Sequence, residues 1–322
     1  MREWGVHMTE TEEDIIRTGM EEIKRTSEVF GDDAGAFRLD GRWVVITNDM
    51  FVQSTDMIPE MNFQDAGFKA VTANVSDLVA MGSKPAYFGF SIGLPESDAD
   101  RARLCFRGIS EAMDFYGMKL ISADTNSANE LIIDGIAVGM AEKLLLRKNA
   151  KVGEVVCVTG DLGRSLSALL ISLKGLEADE KMKKKLFEKI LKPRARIEVV
   201  DGLSKISNCA IDVSDGLAKE LRAISKASGC RIVVDVENIP VSEEVREFCE
   251  LNSLDPAEIA MNSGEEYEIV FTTSKDALDG VEFDFTVIGE VTKGEGVWMR
   301  TDSELKRIRD LSWRHFSDKW VI

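Results

Sequence analysis

The sequence predicts a two-domain protein of mixed α/β (α+β) architecture, and three observations support this prediction. The chain has 322 residues, enough for two domains that each bury a sizeable core. Short apolar, β-branched runs alternate with segments of helical periodicity along most of the chain, as is typical of α/β and α+β proteins. The polar, basic segment 147–153 has no clear period, so we predict an N-terminal domain at 1–145 and a C-terminal α/β domain at 146–322.

The N-terminal half is predicted to contain helices and a set of strands. Residues 64–81 carry apolar side chains at helical spacing and stop at Gly82, a residue type that often follows a helix. A second helix is predicted at 98–116, and an earlier, capped helix at Thr9 or Thr11. Runs rich in β-branched and aromatic residues predict strands at 43–47, 87–94, 119–122 and 131–141.

The C-terminal half shows the same alternation. Gly160-Asp161-Leu162-Gly163 lacks the Walker spacing GxxxxGK[ST], so we interpret it as a tight turn from a strand into a helix that begins at Arg164. Further helices are predicted at 178–191 and 217–228. Strands are predicted at 154–159, 209–211, 231–236, 267–271 and 285–291.

The composition argues against several classes of function. The net charge of −17 gives no reason to expect a nucleic-acid partner, and metal ions would have to screen any ATP-like anion that binds. No apolar run reaches the roughly 18 residues of a membrane span, and the acidic residues 1–14 lack the apolar segment of a signal peptide. We therefore expect a cytoplasmic protein that does not enter a membrane.

Cysteine and histidine usage points the same way. The five cysteines are widely spaced and form no CxxC pair, so we expect reduced thiols in the core. Such thiols agree with a cytoplasmic location. The chain has only two histidines, which argues against histidine-based catalysis and against a zinc site.

The most informative feature is a series of short acidic motifs. Each places an Asp at the edge of a predicted strand, helix or turn, or on one face of a helix, where a packed core does not need a carboxylate. They are Gly31-Asp32-Asp33-Ala34, Thr47-Asn48-Asp49 at the end of strand 43–47, Ser76-Asp77-Leu78, Ala123-Asp124-Thr125-Asn126 and Asp212-Val213-Ser214-Asp215-Gly216-Leu217. Mg²⁺ is usually held by a few carboxylates, by water and by phosphate oxygens. The motifs therefore predict a site that holds several Mg²⁺ ions against phosphates.

Some of these motifs have structural alternatives that the residues leave open. Gly31-Asp32-Asp33 is also a common turn sequence. Asp77 shares a helical face with Lys69, so it either pairs on that side of the helix or points into a site. Ser214 and Asp215 precede a predicted helix, where they cap its N-terminus, face phosphate and metal, or do both. The basic run 181–185 has acidic neighbours, and we interpret it as a solvated helix face.

Taken together and in order, the motifs resemble the thiamine-monophosphate kinases, in their archaeal form, within the aminoimidazole-ribonucleotide-synthetase-like superfamily. The resemblance covers nearly the whole chain, and its most specific part is the stretch 69–82. It also includes Gly31-Asp32-Asp33-Ala34, Thr47-Asn48-Asp49-Met50, Leu94-Pro95, Asp124-Thr125, Ala210-Ile211-Asp212-Val213-Ser214-Asp215-Gly216-Leu217 and Gly264-Glu265-Glu266-Tyr267-Glu268.

The resemblance implies ATP-dependent phosphorylation of thiamine monophosphate to the diphosphate, and a homodimer joined through the sheets of the N-terminal domains. It implies that several Mg²⁺ ions bridge the nucleotide and the acceptor phosphate. By matching position, the implied metal ligands are Asp33, Thr47, Asn48, Asp49, Asp77, Asp124, Asp212 and Asp215. Among these, Asp77, Asp124 and Asp215 are the implied catalytic carboxylates. Arg147 and Ser214 match nucleotide-binding positions, and Asp56, Glu265 and Trp313 match the acceptor-binding side.

Two positions depart from the usual pattern of the family. Ser122-Ala123 stand where many members have Gly-Gly before the Asp that matches Asp124, and two added Cβ atoms matter if those glycines need positive φ. Asp56 stands where many members have a His in the acceptor loop. The motifs therefore specify the phosphoryl-transfer chemistry more closely than they specify the acceptor.

Phosphoryl transfer of this kind requires no covalent intermediate on the protein. A kinase must align donor and acceptor phosphates and offset their charges, here through Mg²⁺ and Arg147. The acceptor is itself a phosphate that is largely deprotonated near neutral pH, so no dedicated base is needed. Two alternatives stay open. One is a different ATP-using member of the superfamily, of the synthetase or hydrogenase-maturation type, and the other is a non-catalytic nucleotide-binding assembly module.

Overall fold

A computed structural model describes residues 18–19, 23, 26–95, 99–301 and 304–308. Most of the helix predicted from Thr9 or Thr11 lies outside these residues, although residues 18 and 19 are helical. Trp313 also lies outside them. The predicted mixed α/β architecture is confirmed, because the described chain forms two mixed sheets with helices packed against them.

The first sheet is built by the N-terminal half of the chain. Its strand order is β1-β2-β5-β3-β4, and all neighbours are antiparallel except β3 and β4, which are parallel. The elements of this half are β1 (Gly35–Leu39), β2 (Arg42–Val52), the single turn α1 (Gln53–Asp56), α2 (Phe63–Ala80), β3 (Lys84–Leu94), α3 (Ala99–Tyr116), β4 (Lys119–Ser127) and β5 (Ile132–Ala141).

The helix α2 forms where the sequence predicts it, because both of its ends carry local signals. The Asn62 side chain accepts hydrogen bonds from the backbone N–H groups of Gln64 and Asp65, at 2.8 and 3.0 Å. The Asp65 carboxylate accepts the Asn62 N–H in return, which completes a capping box. After Met81, Gly82 has a φ of +73° and turns the chain out of the helix.

Two glycines allow α2 and α3 to pack unusually close together. A Cβ atom on Gly67 would lie 2.2 Å from the carbonyl oxygen of Cys105, and one on Gly108 would lie 1.9 Å from that of Gln64. Any larger residue would push the helices apart. The helix α2 packs against β2, β3 and β5, on the face of the first sheet that we call the inner face.

The strand predicted at 43–47 is too short, and this changes the position of two site residues. β2 continues to Val52 because it pairs with β5 along its whole length, from Trp43 opposite Ala141 to Val52 opposite Ile132. Asn48 and Asp49 therefore lie within a strand and not at its end. Since side chains alternate across a sheet, they point to opposite faces.

The second sheet belongs to the C-terminal half and has the order β12-β11-β8-β10-β6-β9-β7. The elements of this half are β6 (Val155–Val158), α4 (Arg164–Lys174), α5 (Glu180–Leu191), α6 (Val200–Ile206), β7 (Cys209–Asp212), α7 (Leu217–Ser228), β8 (Arg231–Asp235), α8 (Glu243–Asn252), α9 (Pro256–Asn262), β9 (Ile269–Thr273), β10 (Thr286–Thr292), β11 (Gly296–Arg300) and β12 (Leu305–Arg307).

Several of these elements differ from the sequence prediction. The short helices α6 and α9 and the strands β1, β11 and β12 were not predicted, nor was α8. The strand predicted at 267–271 begins instead at Ile269, because Tyr267 has a φ of +51° and is outside the β region. The turn predicted at 160–163 is confirmed, since Gly160 and Gly163 both have positive φ and α4 begins at Arg164.

The two halves share a continuous apolar core. Val75 and Leu78 of α2 belong to the same buried cluster as Leu203 of α6 and Phe271 of β9. The predicted boundary segment 147–153 contains a 3₁₀ turn, Arg147–Asn149, and the domain limits stay a prediction. The five cysteines are buried and free, as expected for core thiols. Among the described residues, none of the helices has the length and hydropathy that a membrane crossing requires.

Candidate active site

Four carboxylates meet where α2 lies between the two sheets. Asp33 precedes β1, Asp49 lies in β2, Asp77 lies near the end of α2, and Asp212 ends β7. Burial and the charges of Asp49, Asp212 and Asp33 hold the pKa of Asp77 well above its usual range. Burial and the charge of Asp33 raise the pKa of Asp212 to about 8, an effect that a hydrogen bond from Ser76 opposes. The four form one electrostatic unit in which negative charge accumulates.

Neutral side chains hold these carboxylates in place. The Thr47 hydroxyl donates to Asp77 Oδ2 at 2.5 Å, and the Ser76 hydroxyl donates to Asp212 Oδ2 at 2.6 Å. The Thr47 contact answers the alternative left open by the sequence: Asp77 turns toward the sheet and the acidic cluster, not toward Lys69. Ser76 and Asp212 come from different halves of the chain, so this hydrogen bond joins α2 to the second sheet.

Arg147 is the cation of the cluster. Its guanidinium forms ion pairs with Asp33 and with Asp32, and its backbone N–H donates to Asp32 Oδ2 at 3.2 Å. Burial raises the pKa of Asp33 to about 6 against the opposing charge of Arg147. The second oxygen of Asp33 is buried and has no hydrogen-bond partner among the described residues. Asp32 itself was not predicted as a site residue, although its motif was.

The β7–α7 connection carries the remaining acidic motif. The helix α7 has Gly216, with a φ of +125°, at its N-cap, and no side chain caps it. The capping role considered for Ser214 and Asp215 is therefore wrong. The Asp215 carboxylate instead accepts a hydrogen bond from Lys219 at 2.5 Å, and the Ser214 carbonyl accepts the N–H of Glu265 at 2.6 Å.

Glu220 is a buried carboxylate beside this connection that the sequence reasoning missed. It accepts the backbone N–H of Asp215 at 3.2 Å. Burial and the charges of Asp215, Asp212 and Asp33 hold its pKa well above the usual range. The sequence could have indicated Glu220 as a site residue, because it lies in the first turn of a helix that directly follows an acidic strand end.

Two of the three residues predicted on the acceptor side, Asp56 and Glu265, both contact Lys69. The Lys69 ammonium forms an ion pair with Glu265 and donates to the backbone carbonyl oxygen of Asp56 at 3.0 Å. The Asp56 carboxylate accepts the N–H of Val52 at 2.6 Å, which closes the turn after β2. Lys69 was noticed in the sequence only as a neighbour of Asp77 on the helix.

Asn48 and Asp124 lie on the other face of the first sheet. The Asn48 amide donates to Asp134 Oδ1 at 2.8 Å. Asp124 is exposed in the edge strand β4, opposite Ser91, which in turn lies opposite Asp134. Asp124 therefore shares the outer face with Asp134, whereas Thr47 and Asp49 point to the inner face with α2. Within one chain, the structure does not bring Asp124 to Asp77.

The donor set at the inner face suits a hard divalent cation. It offers carboxylate and hydroxyl oxygens, which Mg²⁺ prefers, and the carboxylates have raised pKa values. It also includes an Asp33 oxygen that has no partner within the described part of the chain and that a cation would satisfy. No group of three His, Cys, Asp or Glu side chains within the described parts of the chain is already arranged around one centre. In the structure these carboxylates are paired instead with Arg147, Thr47 and Ser76.

Comparison with known proteins gives an end-to-end match. Family models of AIR synthase related protein match twice, the N-terminal domain at residues 31–141 and the C-terminal domain at residues 151–300. The chain is 47% identical over 305 residues to a thiamine-monophosphate kinase of Pyrococcus horikoshii, covering 94% of this chain and 96% of that relative.

Solved structures agree with this result. The structure of AaThiL complexed with AMPPCP and TMP matches with a TM-score of 0.88 and 29% identity, over 95% of this chain and 97% of that one. A chain of the HypE-HypF complex matches with a TM-score of 0.75 and 21% identity, over 92% of this chain and 98% of that one, and at that identity it shows the fold alone.

Proposed function

Because the chain belongs to the thiamine-monophosphate kinases among the AIR synthase related proteins, we propose that it phosphorylates thiamine monophosphate with ATP to give thiamine diphosphate. The observation that carries this function is the match over nearly the full length of both chains. It rests also on the resemblance to a structure that contains AMPPCP, an ATP analogue, and TMP. The chain is thus a phosphotransferase whose acceptor is a phosphate group.

The carboxylates at the inner face fit Mg²⁺ as the cofactor. We assign to it Asp33, Thr47, Asp49, Asp77, Asp212 and Asp215, with Asn48 and Asp124 as candidates on the outer face. When bound, Mg²⁺ offsets the negative charge of the phosphates and withdraws charge from the bond that breaks. Burial and the charges of neighbouring carboxylates already raise the pKa values of Asp77 and Asp212, so a bound cation would be needed to offset the added charge of a polyphosphate.

The reaction is an in-line displacement that the chain supports by positioning. A non-bridging oxygen of the acceptor phosphate forms a bond to the γ-phosphorus of ATP, and the bond from that phosphorus to the β–γ bridging oxygen breaks to release ADP. The acceptor oxygen is already ionised near neutral pH, so no side chain has to remove a proton. Arg147 and Ser214 are assigned to the nucleotide, where the guanidinium neutralises phosphate charge.

The organic part of the acceptor is assigned to Asp56, Glu265 and Trp313. Asp56 and Glu265 lie on either side of Lys69. A carboxylate there suits a ligand that carries a cationic thiazolium ring. Trp313 is assigned to stack on that ring, a cation–π contact worth roughly 0.5–2 kcal/mol, and it lies outside the described residues.

A homodimer through the first sheet is proposed from the apolar outer face of that sheet. Met50, Tyr87, Ile136 and Met140 are large apolar side chains that are exposed on this face. An exposed apolar face of this kind is typical of a protein–protein interface. A second copy of the chain would bury it against the same apolar face of its own sheet. Asp124 lies on this face too, so its contribution to phosphate binding depends on the assembly. A cytoplasmic location stays an expectation, in line with the free cysteines.

One assay tests the activity. The purified protein is incubated with ATP, Mg²⁺ and thiamine monophosphate, and thiamine diphosphate and ADP are quantified, with unphosphorylated thiamine as the control acceptor. Stoichiometric thiamine diphosphate and ADP are expected, and thiamine should give neither. ATP binding without turnover would instead support the assembly module. ADP formation without thiamine diphosphate would point to another acceptor within the superfamily.

A second measurement tests the dimer. Sedimentation should give a species of about twice the 35.7 kDa chain mass. The variant Ile136→Asp places a charge in the middle of the outer face and should shift the protein to the monomer. A monomeric wild-type protein would contradict the proposed assembly.

A further inference from the structure

Lys69 is a buried cation in the middle of α2. Its side chain is only 4% exposed, and its ammonium lies 5.8 Å from the centre of the Phe51 ring. Because burial of an unpaired ammonium is costly, the partners of Lys69 must be arranged around it. Those partners come from two separate parts of the chain, namely the Asp56 carbonyl oxygen at 3.0 Å and the Glu265 carboxylate.

Glu265 reaches Lys69 from a loop that is held in a strained conformation. Glu265 and Tyr267 have φ values of +56° and +51°, which residues other than glycine seldom adopt. The backbone N–H of Glu265 donates to the Ser214 carbonyl at 2.6 Å, and its carbonyl accepts the Ser165 hydroxyl at 3.1 Å. The main chain of Glu265 is thus fixed to the C-terminal half, while its carboxylate faces the N-terminal half.

The side chain of the neighbouring Glu266 anchors the same loop through hydrogen bonds. Its carboxylate is fully buried and accepts the backbone N–H of Gly163 at 2.8 Å and the hydroxyl of Ser263 at 2.6 Å. These hydrogen bonds anchor the loop to Gly163, just before α4, and to Ser263, just after α9. With the main chain of Glu265 held in this way, the ion pair with Lys69 orients the Glu265 side chain.

We propose that Lys69 is a positioning residue for the acceptor, which holds the Glu265 carboxylate against the Asp56 turn so that both are preset to bind the organic part of thiamine monophosphate. This inference rests on the proposed function. Lys69 acts through Glu265, because its ammonium is enclosed by its two partners and by Phe51.

The helix α2 also sets the distance between the two ends of the acceptor. Lys69 and Asp77 lie on one face of it, and their separation of eight residues corresponds to about 12 Å at roughly 1.5 Å per residue. The acceptor is elongated, with its rings at one end and its phosphate at the other. One rigid element therefore carries both the residue that presents Glu265 and a carboxylate of the phosphate site.

The test compares Lys69→Met, Lys69→Gln, Lys69→Arg and Glu265→Gln with the double variant Lys69→Met/Glu265→Gln. Steady-state kinetics give KM for thiamine monophosphate, KM for ATP and kcat, and melting temperature is measured in parallel. The matched control is Lys84→Gln. It breaks another ion pair between the two halves, Lys84 with Asp201 at 2.7 Å, which lies exposed on the surface.

Lys69→Met should raise KM for thiamine monophosphate by about tenfold or more and leave KM for ATP within about twofold. Lys69→Arg should keep KM for thiamine monophosphate close to the wild-type value, because it retains the positive charge. Lys84→Gln should leave all three constants unchanged. The double variant should have a KM for thiamine monophosphate no higher than that of the more impaired single variant, since Lys69 and Glu265 act as one unit. If Lys69→Met does not fold, Lys69→Gln and Glu265→Gln should show the same selective rise in KM.

Three results would overturn the proposal. They are an unchanged KM for thiamine monophosphate in a folded Lys69 variant, an equal rise of both KM values, and a double variant whose effect is the product of the two single effects. These differ from a failure of the proposed function, in which the wild-type protein itself forms no thiamine diphosphate.

Discussion

The guanidinium of Arg147 is paired with the carboxylate of Asp33. A residue assigned to the nucleotide and a residue assigned to the metal are therefore paired with each other in the structure. This pairing gives the acidic cluster one internal counter-charge and explains how buried carboxylates coexist there. A cation bound at Asp33 would compete with Arg147 for this carboxylate.

The first prediction concerns this pair. Arg147→Gln should lower the free energy of unfolding by about 1–3 kcal/mol in chelator, less than a fully buried pair would lose, because Arg147 is about one quarter exposed. Saturating Mg²⁺ should reduce that loss, since a bound cation replaces the missing charge. Urea unfolding in both conditions measures the difference.

The control for this experiment is Arg103→Gln, whose partner Asp100 is exposed on α3. It should leave stability unchanged in both conditions. Equal losses for Arg147→Gln in chelator and in Mg²⁺ would show that Asp33 does not exchange Arg147 for a metal ion.

A second prediction concerns Asp77. Asp77→Asn should abolish nearly all turnover, yet metal-free stability should stay equal or increase, because burial and neighbouring charges disfavour the ionised carboxylate. The new amide oxygen still accepts from Thr47. Turnover and melting temperature are measured together, and Asp114→Asn on the exposed side of α3 serves as control. Substantial residual activity at ordinary Mg²⁺ would remove Asp77 from the metal site.

Close packing of α2 and α3 gives a third prediction. Gly108→Ala should lower the free energy of unfolding by about 1–3 kcal/mol or more, because the added Cβ would lie 1.9 Å from the Gln64 carbonyl oxygen. Gly35→Ala is the matched control, since its Cβ would meet nothing nearer than 3.7 Å. Denaturant titrations of both variants provide the comparison. Indistinguishable midpoints would mean that the helices separate at little cost.

The fourth prediction uses the buried thiols and pH. Burial raises the pKa of Cys105 from 9.0 to about 12. Above pH 9 the unfolded chain loses this proton and the native chain keeps it, so the thiol stabilises the fold fully below pH 9 and progressively less as pH rises toward 12. Between pH 9 and 12, Cys105→Ala should make the decline of unfolding free energy shallower, by up to about 1.4 kcal/mol per pH unit. Parallel curves for both proteins throughout this range would refute the assignment.

The sequence by itself determined the elements whose signals are local. α2 lies between the Asn62 capping box and Gly82, and both are readable in the chain. α7 spans Leu217–Ser228 as predicted, because its apolar spacing and terminal glycine specify it. The mixed fold, the buried free cysteines and the family follow from pattern, composition and motif order. Each of these depends on residues close together in the sequence or on the order of motifs along it.

Only the tertiary structure decided which of the predicted site residues meet. The pairing of β2 with β5 carries the strand past Thr47, and its alternation sends Asn48 outward and Asp49 inward. Register likewise puts Asp124 on the face away from Asp77. The pairing of Lys69 with Glu265 joins residues 196 positions apart, and that of Arg147 with Asp33 joins residues 114 positions apart. No local pattern specifies such partners, because burial and charge select them only after the two halves have packed together.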